Sequence, residues 1–264
     1  MNGVRHVARY RTDGALHYGR LDGDAFVRLA DAPWRSLDET AVRDPRSAVQ
    51  LVAPLEPSKI VCVGLNYRAH VAESVTQVVK TDEGVPAEPL LFLKPPSAMI
   101  GPGDAVRLPA GVTRMDPEGE MGVVIGARAR RVREEDALGH VLGLVCGNDV
   151  SARNYQRQDG QWARAKGFDT FAPLGPWIAI GLDPHDRTVE CRVNGERRQT
   201  GNTRDLLFPV PFLIRHISAI MTLEPGDVIL TGTPAGVAPV QPGDVIEVEV
   251  EGVGVLQNPV EAAD

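Results

Sequence analysis

Lysine is scarce in this chain of 264 residues. Of its 28 basic residues, 24 are arginine, and the lysines are Lys59, Lys80, Lys94 and Lys166. A buried lysine can lose its proton or act as a compact point charge, whereas arginine stays protonated in proteins. The scarcity therefore marks these four positions as candidates for lysine-specific chemistry. Alternatively, these lysines are ordinary surface residues that are present by chance, which is about equally plausible.

Cysteine is also rare, and no long apolar stretch occurs. The three cysteines, Cys62, Cys146 and Cys191, stand singly inside apolar segments. This predicts reduced core thiols, not a disulfide framework or a zinc site. No window approaches the run of about 18 apolar residues that crosses a bilayer. The charged start, MNGVRHVARYRTDGA, lacks the apolar region of a signal peptide. We therefore expect a cytoplasmic protein that does not enter a membrane.

Basic residues are outnumbered by acidic ones, 28 against 35, which gives a net charge of −7 and a pI near 5.4. This balance argues against nucleic acid or an anionic membrane surface as a partner. Aromatic residues make up only 5%, whereas there are 27 glycines and 21 prolines. Frequent glycine and proline favour short strands and turns over long helices. We predict a mostly β fold with some α-helix.

The pattern of turns divides the chain into two parts. Residues 1–55 predict a small N-terminal β domain, because Asp-Gly turns separate runs of alternating polarity. The segment 53–58 (APLEPS) predicts a linker, and residues 56–264 form the larger domain. The predicted strands are 59–64, 90–94, 121–126, 143–148, 177–181 and 245–250, and the predicted helices are 66–73, 133–140, 150–158 and 209–220.

Common catalytic signatures are missing. The sequence has no G-x-S-x-G, H-E-x-x-H, C-x-x-C, Walker or G-x-G-x-x-G motif. A serine hydrolase, a zinc protease of the H-E-x-x-H type and a nucleotide-dependent enzyme are therefore poor fits.

Acidic residues instead form the most informative pattern. Glu118 and Glu120 are two apart at the start of an apolar strand, so both side chains point to the same face. Asp149 ends another apolar strand. Carboxylates held together repel each other unless a cation lies between them, and oxygen ligands suit Mg²⁺, Mn²⁺ or Ca²⁺. The alternative is a solvated acidic strand edge, which the spacing alone favours.

Three further groups can carry chemistry. His70 and Glu73 are three apart in a helical segment, and a histidine oriented by a carboxylate can act as a general base. A surface ion pair explains the same spacing. Lys166, near a divalent ion, could stabilise an enolate or polarise a carbonyl. The segment GTPAG (232–236) offers amides and a hydroxyl to a carboxylate, or forms a plain turn.

Taken together and in this order, these residues resemble the fumarylacetoacetate hydrolase superfamily. The resemblance runs from about Ser58 to Pro259 and rests on segments such as KIVCVGLNYRAHVAE, MDPEGEMGVVIG, GNDVSARNYQ, DGQWARAKGFDTFAPLGP and GDVILTGTPAGV. It implies a mixed β-sandwich roll of the kind found in that superfamily, preceded by the small N-terminal β domain.

The resemblance also implies roles for individual residues. Those that would hold a divalent metal are Glu118, Glu120 and Asp149. Those that would carry catalysis, as a lid-helix dyad and a lysine, are His70, Glu73 and Lys166. Those that would contact substrate or line its pocket are Lys94, Arg153, Gln156 and Thr233. The segment from Asn66 to about Glu88 would be a lid that orders over a bound oxo acid.

The substrate implied by this resemblance is a small 2-oxo acid or its enol, with Mg²⁺ or Mn²⁺ as cofactor and Ca²⁺ as a further option. Hydrolysis of a carbon–carbon bond in an acylpyruvate is the first expectation. Isomerisation or decarboxylation of a hydroxymuconate-like or oxaloacetate-like acid in aromatic catabolism would use the same enolate, and a non-catalytic oxo-acid-binding member is the remaining alternative. We also expect a homodimer, through the apolar segment 210–214 beside 201–203; burial of 210–214 in the core of the same chain explains its composition equally well.

Overall fold

The structure is a computed structural model that describes residues 3–73, 81–82 and 84–263, and it is mostly β, as predicted. Its strands are β1 (Arg5–Thr12), β2 (Ala15–Asp22), β3 (Ala25–Leu29), β4 (Glu39–Pro45), β5 (Gln50–Val52), β6 (Ile60–Gly64), β7 (Leu90–Lys94), β8 (Met99–Ile100), β9 (Val106–Leu108), β10 (Met115–Asp116), β11 (Gly119–Ile125), β12 (Val141–Asn148), β13 (Ser151–Ala152), β14 (Ala172–Ile180), β15 (Thr188–Val193), β16 (Glu196–Asn202), β17 (Val228–Leu230), β18 (Val245–Val250) and β19 (Gly254–Ala262). Its α-helices are α1 (Arg68–Glu73), α2 (Arg153–Asp159), α3 (Ala163–Gly167) and α4 (Val210–Ile220), and its 3₁₀ helices are Arg46–Ala48, Pro96–Ala98, Glu134–His140 and Thr203–Asp205.

The larger sheet runs in the order β4-β3-β2-β1-β14-β12-β11-β17-β6-β7. Its central strands are covered on both faces, which explains why they are apolar throughout. In β11, for example, Val123 faces one hydrophobic cluster and Val124 faces another. Residues that alternate in a strand point to opposite faces, so both faces of this strand must be apolar. The uninterrupted apolar pattern of 121–126 is the sequence signal of this position.

A smaller sheet, in the order β16-β15-β18-β19-β9, packs against the larger one. Here the burial alternates strictly along β15 and β18, because only one face meets the core. Val189 and Val248 from this sheet join Met121 and Leu144 from the larger sheet in one hydrophobic cluster. The result is a β-sandwich, with α4 and the 3₁₀ helix at Glu134–His140 packed against its core.

The N-terminal strands continue the larger sheet, because β1 pairs with β14 in antiparallel register, Arg5 opposite Ile180. The linker predicted at 53–58 has no regular secondary structure, but it is packed: Leu55 is fully buried. Just after it, Lys59 Nζ pairs with the buried carboxylate of Asp227, which also accepts the amide hydrogen of Lys59. The division into domains 1–55 and 56–264 stays a prediction.

Two predicted helices differ in detail from the observed elements. The segment predicted at 133–140 is a 3₁₀ helix, and the one predicted at 150–158 begins only at Arg153, because Ser151 and Ala152 pair with β10. The helix predicted at 209–220 is α4, whose Leu213 and Ile214 are fully buried in this chain. These two side chains are therefore not available to a second subunit. Among the described residues, no helix is long and apolar enough to cross a membrane.

Candidate active site

The candidate site lies at one end of the larger sheet, where four neighbouring strands meet. Strands β12, β17 and β6 end there and β11 begins there, because β11 runs antiparallel to its neighbours. The segments that follow these strands carry Asp149, Thr233 and α1, while Glu118 directly precedes β11 and Glu120 is its second residue. Together with α2 and α3 they line a cavity of about 480 Å³. The order of the strands in the sheet thus brings residues that are far apart in sequence into one pocket.

Three predicted carboxylates converge on the floor of this cavity. Oxygen atoms of Glu118, Glu120 and Asp149 all lie within 4.8 Å of one another, and all three residues are buried. The pairing of Gly119 with Asn148 sets this geometry, and the amide of Asp149 donates to the carbonyl of Glu118 at 2.9 Å. The alternative of a solvated acidic edge is therefore wrong for these residues.

Two of the carboxylates have cationic partners. Lys166 Nζ lies 2.7 Å from Glu118 Oε2 and 2.6 Å from Asp149 Oδ2. Arg153 also donates to Glu118. Burial by itself raises the pKa of Glu118, but Arg153 and Lys166 outweigh it and hold that pKa well below its usual range. Glu118 is therefore an anion in the folded protein.

Glu120 differs from the other two carboxylates because the described residues give it no cation. Its Oε2 accepts only the amide hydrogen of Gly232, at 2.7 Å. Burial, followed by the charges of Asp149 and Glu118, raises the pKa of Glu120 well above its usual range. An all-oxygen donor set with one uncompensated member fits a hard divalent cation such as Mg²⁺ or Mn²⁺.

Lys94 lies behind the carboxylates and is not part of the cavity lining. Its ammonium group donates three hydrogen bonds, to the carbonyls of Val150, Lys166 and Phe171. It lies 2.7 Å from Asp149 Oδ1, yet its three protons are directed to those carbonyls, which leaves Asp149 Oδ1 without a hydrogen bond. The structure thus places Lys94 beneath Asp149, outside the cavity lining, and not in contact with the space where a substrate would bind.

The His–Glu dyad also lines the cavity. His70 is buried, and no described residue forms a hydrogen bond with its Nδ1, which lies 3.9 Å from Glu73 Oε2, beyond hydrogen-bond distance. Glu73 Oε2 instead accepts the amide hydrogen of Gly236 at 3.0 Å. Burial lowers the pKa of His70, so the imidazole is neutral at neutral pH and able to accept a proton.

The helix that carries the dyad is anchored at its start. Asn66 is fully buried, donates to the carbonyls of Thr231 and Phe208, and accepts the amide hydrogen of Phe208. Gly232, at φ +104, lies so close that a Cβ there would be 2.7 Å from Asn66 Cβ. The predicted lid, Asn66 to about Glu88, thus begins on a fixed residue. Its residues 74–80 and 83 lie outside the described part of the chain, as does Lys80.

The remaining predicted residues form a polar network. Arg153 donates to Asp116 and, through Nη1, to Gln156 Oε1, so both predicted side chains lie together on one wall. Thr233 donates its hydroxyl hydrogen to the carbonyl of Gly119 and accepts from Gln199. In this orientation the hydroxyl of Thr233 can accept from a ligand but has no proton left for a carboxylate.

The sequence analysis missed several residues of this site. Asp116 is fully buried and receives hydrogen bonds from Arg114 and Arg153. Asp116 lies two residues before Glu118, so its side chain continues the i, i+2 spacing of Glu118 and Glu120. This spacing could have identified Asp116 from the sequence. Trp162 lines the cavity beside Lys166, whose Nζ lies 5.9 Å from its ring centroid. Gln199 comes from the smaller sheet, and no local pattern marks it.

A β-sandwich with a buried carboxylate cluster, a lysine and a His–Glu pair in one cavity defines a class of candidate metal-dependent enzymes. Comparison with known families gives the assignment. Residues 59–261 match the family described as fumarylacetoacetate (FAA) hydrolase, C-terminal, and residues 5–54 match the family described as Rv2993c-like, N-terminal. The chain belongs to the fumarylacetoacetate hydrolase family, as the sequence motifs predicted.

Individual relatives span several reactions. Protein Rv2993c of Mycobacterium tuberculosis is 45% identical and covers 96% of this chain and 97% of its own. The mitochondrial oxaloacetate tautomerase fahd2 of Xenopus laevis is 42% identical over 81% of this chain and 69% of its own. A crystal structure of maleylpyruvate hydrolase from Sphingobium, in complex with manganese(II) and pyruvate, has a TM-score of 0.80 and 32% identity, covering 98% of this chain and all of its own.

Proposed function

We propose that this protein is a divalent-metal-dependent enzyme that hydrolyses a carbon–carbon bond of an acylpyruvate-type 2-oxo acid. The observation that carries the proposal is the placement of His70 on the wall of the same cavity as the three carboxylates and Lys166, with an Nδ1 that has no hydrogen-bond partner in the described part of the chain. Water activation and enolate stabilisation are the two tasks of such a hydrolysis, and the cavity holds a group for each.

Glu118, Glu120 and Asp149 would hold the ion, through oxygen atoms already within 4.8 Å of one another. When bound, Mg²⁺ or Mn²⁺ supplies Lewis-acid stabilisation of the negative charge that develops on the oxo-acid oxygen. Lys166 adds a fixed positive charge beside Asp149 and Glu118. The fit rests on the convergence of three buried carboxylates and on Glu120, which has no cationic partner among the described residues.

His70 would act as the general base. It takes a proton from water, and the hydroxide adds to the distal carbonyl of the acylpyruvate. The carbon–carbon bond then breaks, its electron pair passes to the pyruvate fragment as an enolate, and the acyl fragment leaves as a carboxylic acid. The enolate takes up a proton to give pyruvate. A positioned base of this kind contributes about 10²–10⁴ in rate.

Glu73 would orient the imidazole of His70. Its carboxylate is held by the amide of Gly236, and a further approach of about 1 Å from the present 3.9 Å would make a hydrogen bond to Nδ1. A charge beside the imidazole then stabilises the imidazolium that forms during proton transfer. Both residues belong to α1, so a change of side-chain conformation, without movement of the helix, would make this approach.

Tautomerisation or isomerisation of a 2-oxo acid is the second candidate. The distance of 3.9 Å between His70 and Glu73, too long for a hydrogen bond, favours this candidate. Moving a proton between carbon and oxygen atoms of the substrate does not require a water molecule activated by the dyad. This candidate is also supported by the 42% identity to a protein named as an oxaloacetate tautomerase. Decarboxylation of oxaloacetate would use the same enolate and also needs no attacking water.

A substrate panel separates these reactions. The purified protein, freed of metal with EDTA and reloaded with Mg²⁺ or Mn²⁺, is assayed with acetylpyruvate, oxaloacetate and a 2-hydroxymuconate. Pyruvate release from acetylpyruvate that depends on added metal supports the hydrolase. Enol–keto conversion, carbon dioxide release or a shifted double bond without cleavage supports the second candidate or decarboxylation. Binding of oxalate without turnover of any acid would identify a non-catalytic oxo-acid-binding protein.

A homodimer remains part of this proposal. The buried side chains of Leu213 and Ile214 cannot contribute, but Ile220 on the outer face of α4 is 58% exposed and Phe212 stacks on Phe208 beside it. Light scattering at micromolar concentration measures the assembly directly. A monomer would contradict the dimer without affecting the proposed chemistry.

A further inference from the structure

Gln199 is buried next to the candidate active site but does not line its cavity. It belongs to β16 in the smaller sheet. Its Oε1 accepts the amide hydrogen of Gly119 at 3.0 Å, and its Nε2 donates to the hydroxyl of Thr233 and to the carbonyl of Pro234, each at 2.7 Å. Gln199 therefore joins the residue between two candidate metal ligands to the segment 232–236.

The backbone fixes the direction of every hydrogen bond in this network. The amide of Gly119 can only donate and the carbonyl of Pro234 can only accept, so the orientation of the Gln199 amide is determined. Because Nε2 donates to Thr233, the hydroxyl hydrogen of Thr233 is directed to the carbonyl of Gly119, at 2.9 Å. Both backbone groups of Gly119 are thus held by this network.

The segment 232–236 carries two backbone amides that hold acidic side chains of the site. The amide of Gly232 donates to Glu120 at 2.7 Å, and the amide of Gly236 donates to Glu73 at 3.0 Å. One of these carboxylates is a candidate metal ligand, and the other belongs to the dyad. The position of one short segment therefore affects both the metal site and the dyad.

Strand β16 packs directly against this segment on both sides of Gln199. Gly236, at φ +102, lies so close to β16 that a Cβ there would be 2.1 Å from the carbonyl oxygen of Arg198. A Cβ at Gly201 would likewise be 2.7 Å from Pro234 Cβ. Close backbone packing brings the strand and the segment together, and the Gln199 amide supplies hydrogen bonds between them.

We infer that Gln199 is a positioning residue of the candidate active site. It holds the segment 232–236 against the start of β11, so that two amides of this segment meet the metal-site carboxylate Glu120 and the dyad carboxylate Glu73. Residues that orient metal ligands in this way typically change metal affinity or activity by about 10–100-fold when they are replaced. The inference rests on the proposed function in one respect, the binding of a divalent metal by the three carboxylates.

The test measures metal binding and turnover separately. Gln199→Met keeps the length of the side chain but removes its hydrogen bonds. We expect the Mn²⁺ affinity of the ligand-free protein, measured by calorimetry, to fall about tenfold. At saturating Mn²⁺ we also expect a lower kcat, because the partner of Glu73 is no longer held in place.

The control is Asn258→Leu, which removes another buried amide of the smaller sheet. Asn258 Nδ2 donates to the carbonyls of Gly101 and Asp104, and none of these residues lines the cavity. Like Gln199→Met, this variant leaves two carbonyls without their donor and should lose thermal stability. It should keep the wild-type Mn²⁺ affinity and kcat.

A second pair of variants tests whether the effect passes through the hydrogen-bond network. Thr233→Val removes the hydroxyl that links Gln199 to Gly119, and Thr233→Ser keeps it. Only Thr233→Val should weaken Mn²⁺ binding. Combined with Gln199→Met, it should weaken binding by less than the product of the two single effects, because both changes break one network.

These measurements separate the inference from the proposed function. Wild-type Mn²⁺ affinity in Gln199→Met overturns the inference even if acetylpyruvate is hydrolysed, and if this variant does not fold, wild-type affinity in Thr233→Val overturns it. An equal loss of affinity in Asn258→Leu also overturns it, because the effect would then follow from stability alone. An unchanged kcat at saturating Mn²⁺ in an active protein overturns the link to Glu73. A loss of affinity confined to the Gln199 and Thr233 variants, in a protein that turns over no oxo acid, contradicts the proposed function and supports the positioning role.

Discussion

Lys166 Nζ lies 2.6 Å from Asp149 Oδ2, and the same ammonium group is 2.7 Å from Glu118 Oε2. Burial alone would lower the pKa of this lysine, but the two carboxylates outweigh burial and raise it. Lys166 therefore remains charged at the floor of the cavity. Phe92 and Trp162 enclose it, with ring centroids 4.9 and 5.9 Å from Nζ. A charge held in this way stabilises a developing enolate without reorganising.

Lys166→Met should lower kcat at least about 100-fold for every reaction that passes through the enolate, the loss expected for one preorganised charge. The control is Lys59→Met, which also removes a lysine from a buried carboxylate, Asp227, but outside the cavity. Both variants should lose thermal stability, because each leaves an uncompensated buried charge. Only Lys166→Met should change kcat in the protein that remains folded. Equal kcat values for the two variants would contradict the role of Lys166.

Glu118→Gln should lower the melting temperature of the metal-free protein, whereas Glu120→Gln should not. Glu118 is paired with Arg153 and Lys166, so its amide variant breaks two ion pairs and should lower the melting temperature. Glu120 has no cationic partner and is crowded by Asp149, so Glu120→Gln should leave the melting temperature unchanged or raise it. Both variants should lose the stabilisation that Mn²⁺ gives the wild type. Undiminished Mn²⁺ affinity of Glu120→Gln in calorimetry would exclude Glu120 as a ligand.

Metal binding should be coupled to proton release from Glu120. Burial and its acidic neighbours raise the pKa of this carboxyl, and a carboxyl must lose its proton to bind a metal. The affinity for Mg²⁺ should therefore increase as the pH rises. Calorimetry in buffers of different ionisation enthalpy counts the protons released, and Glu120→Gln should release fewer. A proton count that is identical in wild type and variant would show that Glu120 does not supply the proton.

The accuracy of the sequence predictions depended on whether the signal was local. The apolar run around Val123 predicted a strand, and the spacing of Glu118 and Glu120 predicted two carboxylates on one face, because strand periodicity is a local property. Gln199 could not be predicted in this way, since it reaches Gly119 from a different sheet. The placement of Lys94 under Asp149 likewise depends on how β7 packs.

The start of the helix predicted at 150–158 was wrong because it depends on a contact between segments that are distant in sequence. The 150–158 pattern had no breaker, yet Ser151 forms a strand pair with Asp116 instead of a helical turn. That pairing brings the carboxylate of Asp116 to Arg153 at the first residue of α2. A tertiary contact overrode the local helical preference, and the same contact builds one wall of the site.

Variants of the dyad should separate hydrolysis from the other reactions. His70→Ala removes the base and should lower acylpyruvate hydrolysis about 10²–10⁴-fold, while oxalate binding stays near the wild-type value. Glu73→Gln should have a milder effect, because the imidazole keeps its basic nitrogen but loses the charge beside it. Oxaloacetate decarboxylation should survive both changes better than hydrolysis. Full acylpyruvate hydrolysis by His70→Ala would show that another group activates water.

The pH dependence provides an independent check on His70. Burial is the main cause of its lowered pKa, with the charges of Arg153 and Lys166 acting in the same direction. Since only the neutral imidazole accepts a proton, kcat/KM should fall on the acidic side with an apparent pKa below the usual value of about 6.5. The same shift affects stability. Between the lowered pKa and about 6.5 the unfolded chain binds more protons than the folded one, so stability should decrease as the pH falls through this window. His70→Gln should remove both effects, and an acidic limb that persists in that variant would assign the titration to a different group.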